Sequence, residues 1–256
     1  VAVATVGSQA ISAAICILVM FRKYPDLMPK RHTLRPDKPV SLKIFGMGAQ
    51  MALQSLFLSV GMMVITRVIN SYGSNVVAAF TVGSNVQNLA VMLFSNFSFG
   101  FSVYVGQNFG AGELKRCKKT LLLCLAEGAV ILLAAIALII SFGKPLLSIF
   151  NSDPEVIDIG YIRVMLVVSA HFFSMLYEVM SGYLRGFGIS LGPAILTMIG
   201  VCMVRLLWIQ FVFPLSRTFR TIMLVYPVSL SLTALMIFVA LLCTRPARRF
   251  AKKADA

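Results

Sequence analysis

The residue that most invites chemistry is Glu178, an acid inside the apolar run Phe172-Phe-Ser-Met-Leu-Tyr-Glu178-Val-Met-Ser-Gly-Tyr-Leu-Arg185. A carboxylate in hydrocarbon is costly unless it is paired, protonated or holding a cation. Three roles compete for it: it binds a cation, it pairs with Arg205 or a helix terminus, or it snorkels to the interface about 10 Å away, where Arg185 lies. His171 stands seven residues earlier near the same helical face, with Ser174 between them. Arg205, about 18 Å of helix beyond Pro193, reaches down from the next apolar run. Glu127, eight residues after Lys119, suits structural pairing or snorkelling. Arg67 and Arg163 fall near span ends, where snorkelling suffices.

Other chemistry is thin. The nine acids lie mostly in loops, and His32 and His171 have no metal-ligand spacing. None of the five cysteines forms a CxxC pair, so buried small hydrophobes are the default and neither zinc nor disulfides are expected. The run Gly186-Phe-Gly-Ile-Ser-Leu-Gly192 has one residue too many for a dinucleotide loop and no preceding strand. No Walker or HExxH motif occurs, so a catalyst, a resident cofactor and ATP-driven transport are not encoded here.

These residues must be positioned by membrane helices. Mean hydropathy is +0.88, and seven stretches are each long enough to cross about 30 Å of hydrocarbon. They read Val1 to Phe21, Ile44 to Ile69, Val76 to Val105, Leu121 to Phe142, Ile157 to Leu184, Ala194 to Phe213 and Ile222 to Cys243. They are continuous runs, not alternating ones, which predicts helices and not a barrel. The odd connections and the tail carry 17 Lys and Arg against 3 in the even ones. The positive-inside rule places the odd loops and the C-terminus in the cytoplasm of a multi-pass plasma-membrane protein. The net charge of +14 follows from that asymmetry, so the lipid bilayer is the expected partner and nucleic acid is not.

The organisation reads as a helix at 1–21, a linker at 22–43, a six-helix lobe at 44–243 and a basic tail at 244–256. Four prolines break the linker, and Pro39 suits the first turn of a lead-in, Val40 to Phe45. The chain opens on Val1 inside an apolar run without a basic n-region, which reads as truncation and not as a signal peptide.

The third span is polar. Asn85, Asn88, Ser95, Asn96, Ser98 and Ser102 share one broad face, with Gln87 also present. Such a stripe faces protein or a water-filled cavity, and either interhelical hydrogen bonds or a lumen explains it. Gln50, Gln54, Ser55 and Ser59 add polarity to the neighbouring span. Methionines including Met51, Met62, Met63, Met92, Met165, Met175, Met198 and Met203 suit an adaptable pocket or serve as membrane filler. Two GxxxG patterns, Gly106 to Gly110 and Gly182 to Gly186, predict close helix packing or helix ends.

Three strings carry a family resemblance: Ile69-Asn-Ser-Tyr-Gly-Ser-Asn-Val-Val-Ala-Ala79, Val105-Gly-Gln-Asn-Phe-Gly-Ala-Gly112 with Lys115-Arg116 after it, and Gly182-Tyr-Leu-Arg-Gly-Phe-Gly-Ile-Ser-Leu-Gly-Pro193 with Arg205. In this order they resemble the second half of MATE (multidrug and toxic compound extrusion) transporters. The resemblance implies an all-α integral membrane fold of twelve helices in two lobes. This chain then supplies the sixth helix and a six-helix second lobe, and a first lobe is its expected partner. It implies export of cationic or amphipathic compounds in exchange for Na⁺ or H⁺, with no other cofactor. Some members bind the coupling ion through acids on helices seven and ten. Glu178 is on the matching tenth helix, about one turn past the family position near Ser174. The seventh helix has Gln54 and Ser55 where an acid is expected, which departs from the pattern. The resulting site set is Glu178, His171, Arg205, Gln54, Asn85 and Asn88. The rivals are a lipid-linked oligosaccharide flippase, a membrane enzyme and a structural subunit. A flippase favours several deep basic residues, and Arg205 reads as the single one.

Overall fold

The computed structural model describes residues 2–23 and 37–247. Among the described residues up to Thr244, eight helices follow one another: α1 (Ala2–Lys23), α2 (Lys38–Asn70), α3 (Ser74–Gly110), α4 (Leu114–Ser141), the short α5 (Gly143–Ser148), α6 (Pro154–Gly186), α7 (Leu191–Leu215) and α8 (Phe219–Thr244). Among the described residues, α1, α2, α4, α6, α7 and α8 are long and apolar enough to cross a membrane. The expected third span is α3, the longest helix at 37 residues. Pro39 does sit in the first turn of α2, but the lead-in and the span are one helix. The helix α5 was not foreseen. Most of the expected linker, and the tail from residue 248 onward, lie outside the described residues.

Two compact units divide the chain, Val1–Gly46 and Met47–Ala256. The first is α1 with the start of α2. In the second, α6 is the central element, packed along α3, α4 and α8. Its two sides serve two cores. Val164, Val168, Met175 and Val179 join Val82, Val86 and Val105 of α3 and Leu132 and Ile136 of α4. Val167 and Ala170 join Ile65 and Ile69 of α2, Val201 of α7 and Tyr226 and Leu230 of α8.

Local chemistry fixes the ends. Asp153 caps α6, its carboxylate accepting from Glu155 N–H at 2.9 Å, with Pro154 in the first turn. Gly112 and Gly188 take positive φ (77° and 76°) in the turns after α3 and α6, which a side chain disfavours. Gly186 lies against α3, where a Cβ stands 2.6 Å from Val105 Cγ1. The second GxxxG pattern is therefore a close helix crossing, as its spacing predicts. Widened π turns interrupt α6 at Val164–Val168 and α7 at Met198–Met203 and Trp208–Val212.

Candidate functional site

Among the described residues of the second unit, the most buried charge is one whose place in the sequence suggests an interface. Arg163 is 1% exposed, so the snorkelling expectation is corrected. Its position nine residues into α6 says nothing about what surrounds α6, and α3 and α8 cover it. On α3, Phe80, Gly83 and Gln87 share one face. Phe80 offers its ring at 3.8 Å from the guanidinium carbon, and Gln87 Oε1 accepts from the guanidinium at 2.7 Å. Gly83 makes room for the stem, since a Cβ there stands 2.8 Å from Arg163 Cδ. Arg67, the other predicted interface arginine, is exposed.

Arg205 lies behind a shared ring. Its guanidinium carbon is 4.5 Å from the Tyr226 ring centroid, and that of Arg163 is 5.6 Å from the same ring. Arg205 Nε donates to Ser229 Oγ at 3.4 Å. Among the described residues the ion pairs are Arg116–Glu113, Lys144–Asp158 and Arg185–Glu178. The two buried arginines are therefore held by aromatic faces, an amide, a hydroxyl and the Met223 sulfur, which accepts from Arg163 at 3.8 Å, with no carboxylate. His171 is also buried, its Nδ1 3.1 Å from Ser174 Oγ.

Glu178 is placed differently. Its carboxylate is 3.6 Å from Arg185, both side chains are partly exposed (29% and 18%), and the seven-residue spacing stacks them on one face of α6. Of the alternatives open to Glu178, pairing with Arg205 is not formed, and the carboxylate pairs with Arg185 instead. Ser98 of α3 donates to the Glu178 carbonyl at 2.9 Å, which ties this turn of α6 to α3.

The remaining predicted residues do not join these groups. Gln54 and Gln50 are half-buried and, with the exposed Leu53, face Leu191, Ala194 and Met198 around a space of about 70 Å³. Gln50 accepts from Ser190 at 2.8 Å. Asn85 and Asn88 are exposed, whereas Ser98 is buried, so the predicted stripe divides. The side chains of Ser95 and Asn96 lie outside the described residues. Glu127 is exposed. The methionines also divide: Met175 is fully buried against Gly128, while Met51, Met63, Met92, Met165 and Met203 are exposed. No group of three or more His, Cys, Asp or Glu suited to a metal ion occurs among the described residues. Sequence reasoning missed Arg163, Phe80, Gln87 and Tyr226 as one cluster. The available signal was an aromatic, a glycine and an amide on one face of a polar helix.

Long apolar helices carrying isolated, individually managed charges define a multi-pass all-α membrane protein. The model of the MatE family matches residues 51–209. The chain belongs to that family. It is 30% identical over 210 residues to the probable multidrug resistance protein NorM of Thermotoga maritima, covering 80% of this chain and 44% of that protein. The chain thus spans about half the length of the curated relatives it matches. The same fold occurs in the crystal structures of MATE in the straight conformation (TM-score 0.80, 17% identity, 96% of this chain and 55% of that one) and in the bent conformation (TM-score 0.80, 16% identity, 93% and 53%).

Proposed function

We propose that this chain supplies one lobe of a secondary antiporter that exports cationic or amphipathic compounds in exchange for Na⁺ or H⁺. The carrier lies in the plasma membrane, with the basic end of α8 in the cytoplasm, and its partners are the bilayer, the solute and a first lobe. Family membership and the charge parity of the loops support this reading. The observation that carries it is the Glu178–Arg185 pair. Among the described residues Glu178 is the acid that lies within a span and is not exposed. At 3.6 Å the pair is loose, and its partly exposed groups are open to competition. A proton or cation arriving at Glu178 displaces Arg185, and the freed guanidinium favours a different arrangement of the end of α6. Ion and solute then stabilise opposite-facing states, so each drives release of the other. His171 and Arg205 set the local charge, and Gln54, Asn85 and Asn88 offer hydrogen bonds to solute.

The test is ethidium export from cells by the whole transporter carrying Glu178→Gln. Loss of the dependence on the Na⁺ or pH gradient is expected, and unchanged export with unchanged ion dependence sinks the role. The flippase reading gains a second deep arginine in Arg163, which corrects the expectation that Arg205 stands alone. That guanidinium is enclosed by Phe80 and Gln87, so it presents no free surface to a pyrophosphate.

A further inference from the structure

A cavity of about 330 Å³ opens between the start of α4 and the end of α8, lined by Lys118, Leu121, Tyr183, Leu241, Leu242 and Arg245 among others. We propose that it holds an anionic phospholipid, with the phosphate between Lys118 and Arg245 and the first acyl carbons on the leucines. Charge and polarity are graded along the helix axes. Lys118 lies in the first turns of α4, and Arg245 is the residue that ends α8. Leu121 and Leu241 lie about one turn deeper. That order, cation outside and hydrocarbon inside, is the order of a lipid headgroup and its chains. Basic pockets between helices at a membrane face recognise such headgroups.

Neither cation belongs to any of the three ion pairs among the described residues. Both are exposed, so each keeps donors for a phosphate. Arg245 Nε donates to the Leu242 carbonyl at 2.9 Å, which holds the side chain against its own helix end and leaves the two terminal nitrogens for another acceptor.

The backbone at this point is unusual. Arg245 has φ 38° and ψ 56°, and among the described residues it is the one non-glycine with positive φ. Left-handed conformation is unfavourable for a residue with a Cβ, and glycine is the usual solution at a helix end. Here an arginine takes the position, its N–H bonded to the Leu241 carbonyl at 3.0 Å, and the chain turns helical again at Pro246 directly after it. A strained residue kept where glycine serves better points to a use for its side chain. Leu242, which lines the cavity, is itself half exposed, so the apolar wall reaches the surface that lipid would cover.

The experiment compares the chain purified in detergent with phosphatidylglycerol or phosphatidylcholine added, read by native mass spectrometry and by the thermal unfolding midpoint. Phosphatidylglycerol is expected to stay bound and raise the midpoint, with little effect of phosphatidylcholine. Lys118→Gln with Arg245→Gln should weaken retention of phosphatidylglycerol tenfold or more, while Lys144→Gln leaves it unchanged. The double variant keeps the basic residues Arg248, Arg249, Lys252 and Lys253, so its loss reports the cavity and not the tail. If that variant does not fold, the wild-type chain decides: stabilisation by phosphatidylglycerol must disappear as salt is raised. Equal binding of the two lipids, a salt-insensitive effect or full retention by the double variant overturns the proposal. Displacement of the lipid by millimolar inorganic phosphate overturns the lipid source and leaves a free-anion site.

Discussion

Two regions of the same helix manage charge in opposite ways. Near the Pro154 end of α6, Arg163 is fully buried without a counter-ion, wrapped by Phe80, Tyr226 and Gln87. Near the Gly186 end, Glu178 and Arg185 neutralise each other but stay partly exposed. Removing a guanidinium from water costs several kcal/mol, and an aromatic face with one amide bond recovers only part of it. The first region is held in place because, at 1% exposure, neither water nor an ion can replace Gln87, the Met223 sulfur and the two rings around the guanidinium. The second is soft, because water and ions can replace either member. Under the antiport proposed above, a lobe that moves while staying folded would use both: a fixed joint among α3, α6 and α8, and a pair open to exchange.

The strongest way to break this contrast is Gln87→Leu. It leaves the buried Arg163 guanidinium without its amide acceptor, and a loss of about 3 kcal/mol of stability is expected. Thermal and denaturant unfolding in detergent measure it. Arg163→Met alone should be close to neutral, because removing an unpaired buried cation also removes its desolvation cost. The double variant Arg163→Met with Gln87→Leu should recover most of the loss. If the two losses simply add, Gln87 does not act through Arg163 and the fixed joint is a misreading.

Phe80→Leu comes next. It keeps apolar volume but removes the ring 3.8 Å from the guanidinium, and about 2 kcal/mol is expected for a desolvated cation on an aromatic face. The loss should vanish when Arg163 is already methionine. A Phe80 effect that persists in that background is packing, and the cation is then incidental to it.

At the soft end, Arg185→Gln should change stability by no more than about 1 kcal/mol, because screened and partly exposed pairs contribute little. Under the proposed antiport its effect falls on transport. With Arg185 gone, Glu178 has no competitor for an ion, so the apparent ion affinity should rise while the exchange rate falls. Vesicle transport at varied Na⁺ and pH separates the two. Unchanged ion dependence in both Arg185→Gln and Glu178→Gln removes the pair from coupling.

Much of this architecture is legible without coordinates, for physical reasons. Length and hydropathy mark long helices because the bilayer imposes a minimum span, and Asp153-Pro154 marks the start of α6 because capping is local. The glycines at 182 and 186 mark a crossing because close approach needs a missing side chain. Arg163 was not legible, since distance along α6 measures depth in that helix and not the cover from others. Glu178 stands out in the sequence, but the sequence leaves cation binding, pairing with Arg205 or a helix terminus, and snorkelling all open, and the fold pairs it with the stacked Arg185. Asn85 and Asn88 were grouped with Ser98 although they lie about 80° to 140° from it around α3, enough to divide exposed from buried.

The smallest effect sharpens the comparison by supplying a region with no burial at all. Lys144 and Asp158 form the shortest ion pair of the three, at 2.8 Å, yet both side chains are mostly exposed. If distance decided strength, this pair would matter most; water and salt decide instead. The hydrogen bond to Asp158 and its charge hold the Lys144 ammonium above its ordinary pKa. A raised value in the folded state means that the contribution is fully present below the unfolded pKa of about 10.4 and is lost only as pH rises through the folded value. Between pH 6 and 9, Lys144→Gln should therefore shift the unfolding midpoint by a small amount that does not change with pH and disappears in high salt. A shift as large as that of Gln87→Leu would show that proximity outweighs burial in this lobe, and the contrast between the two ends of α6 would lose its physical basis.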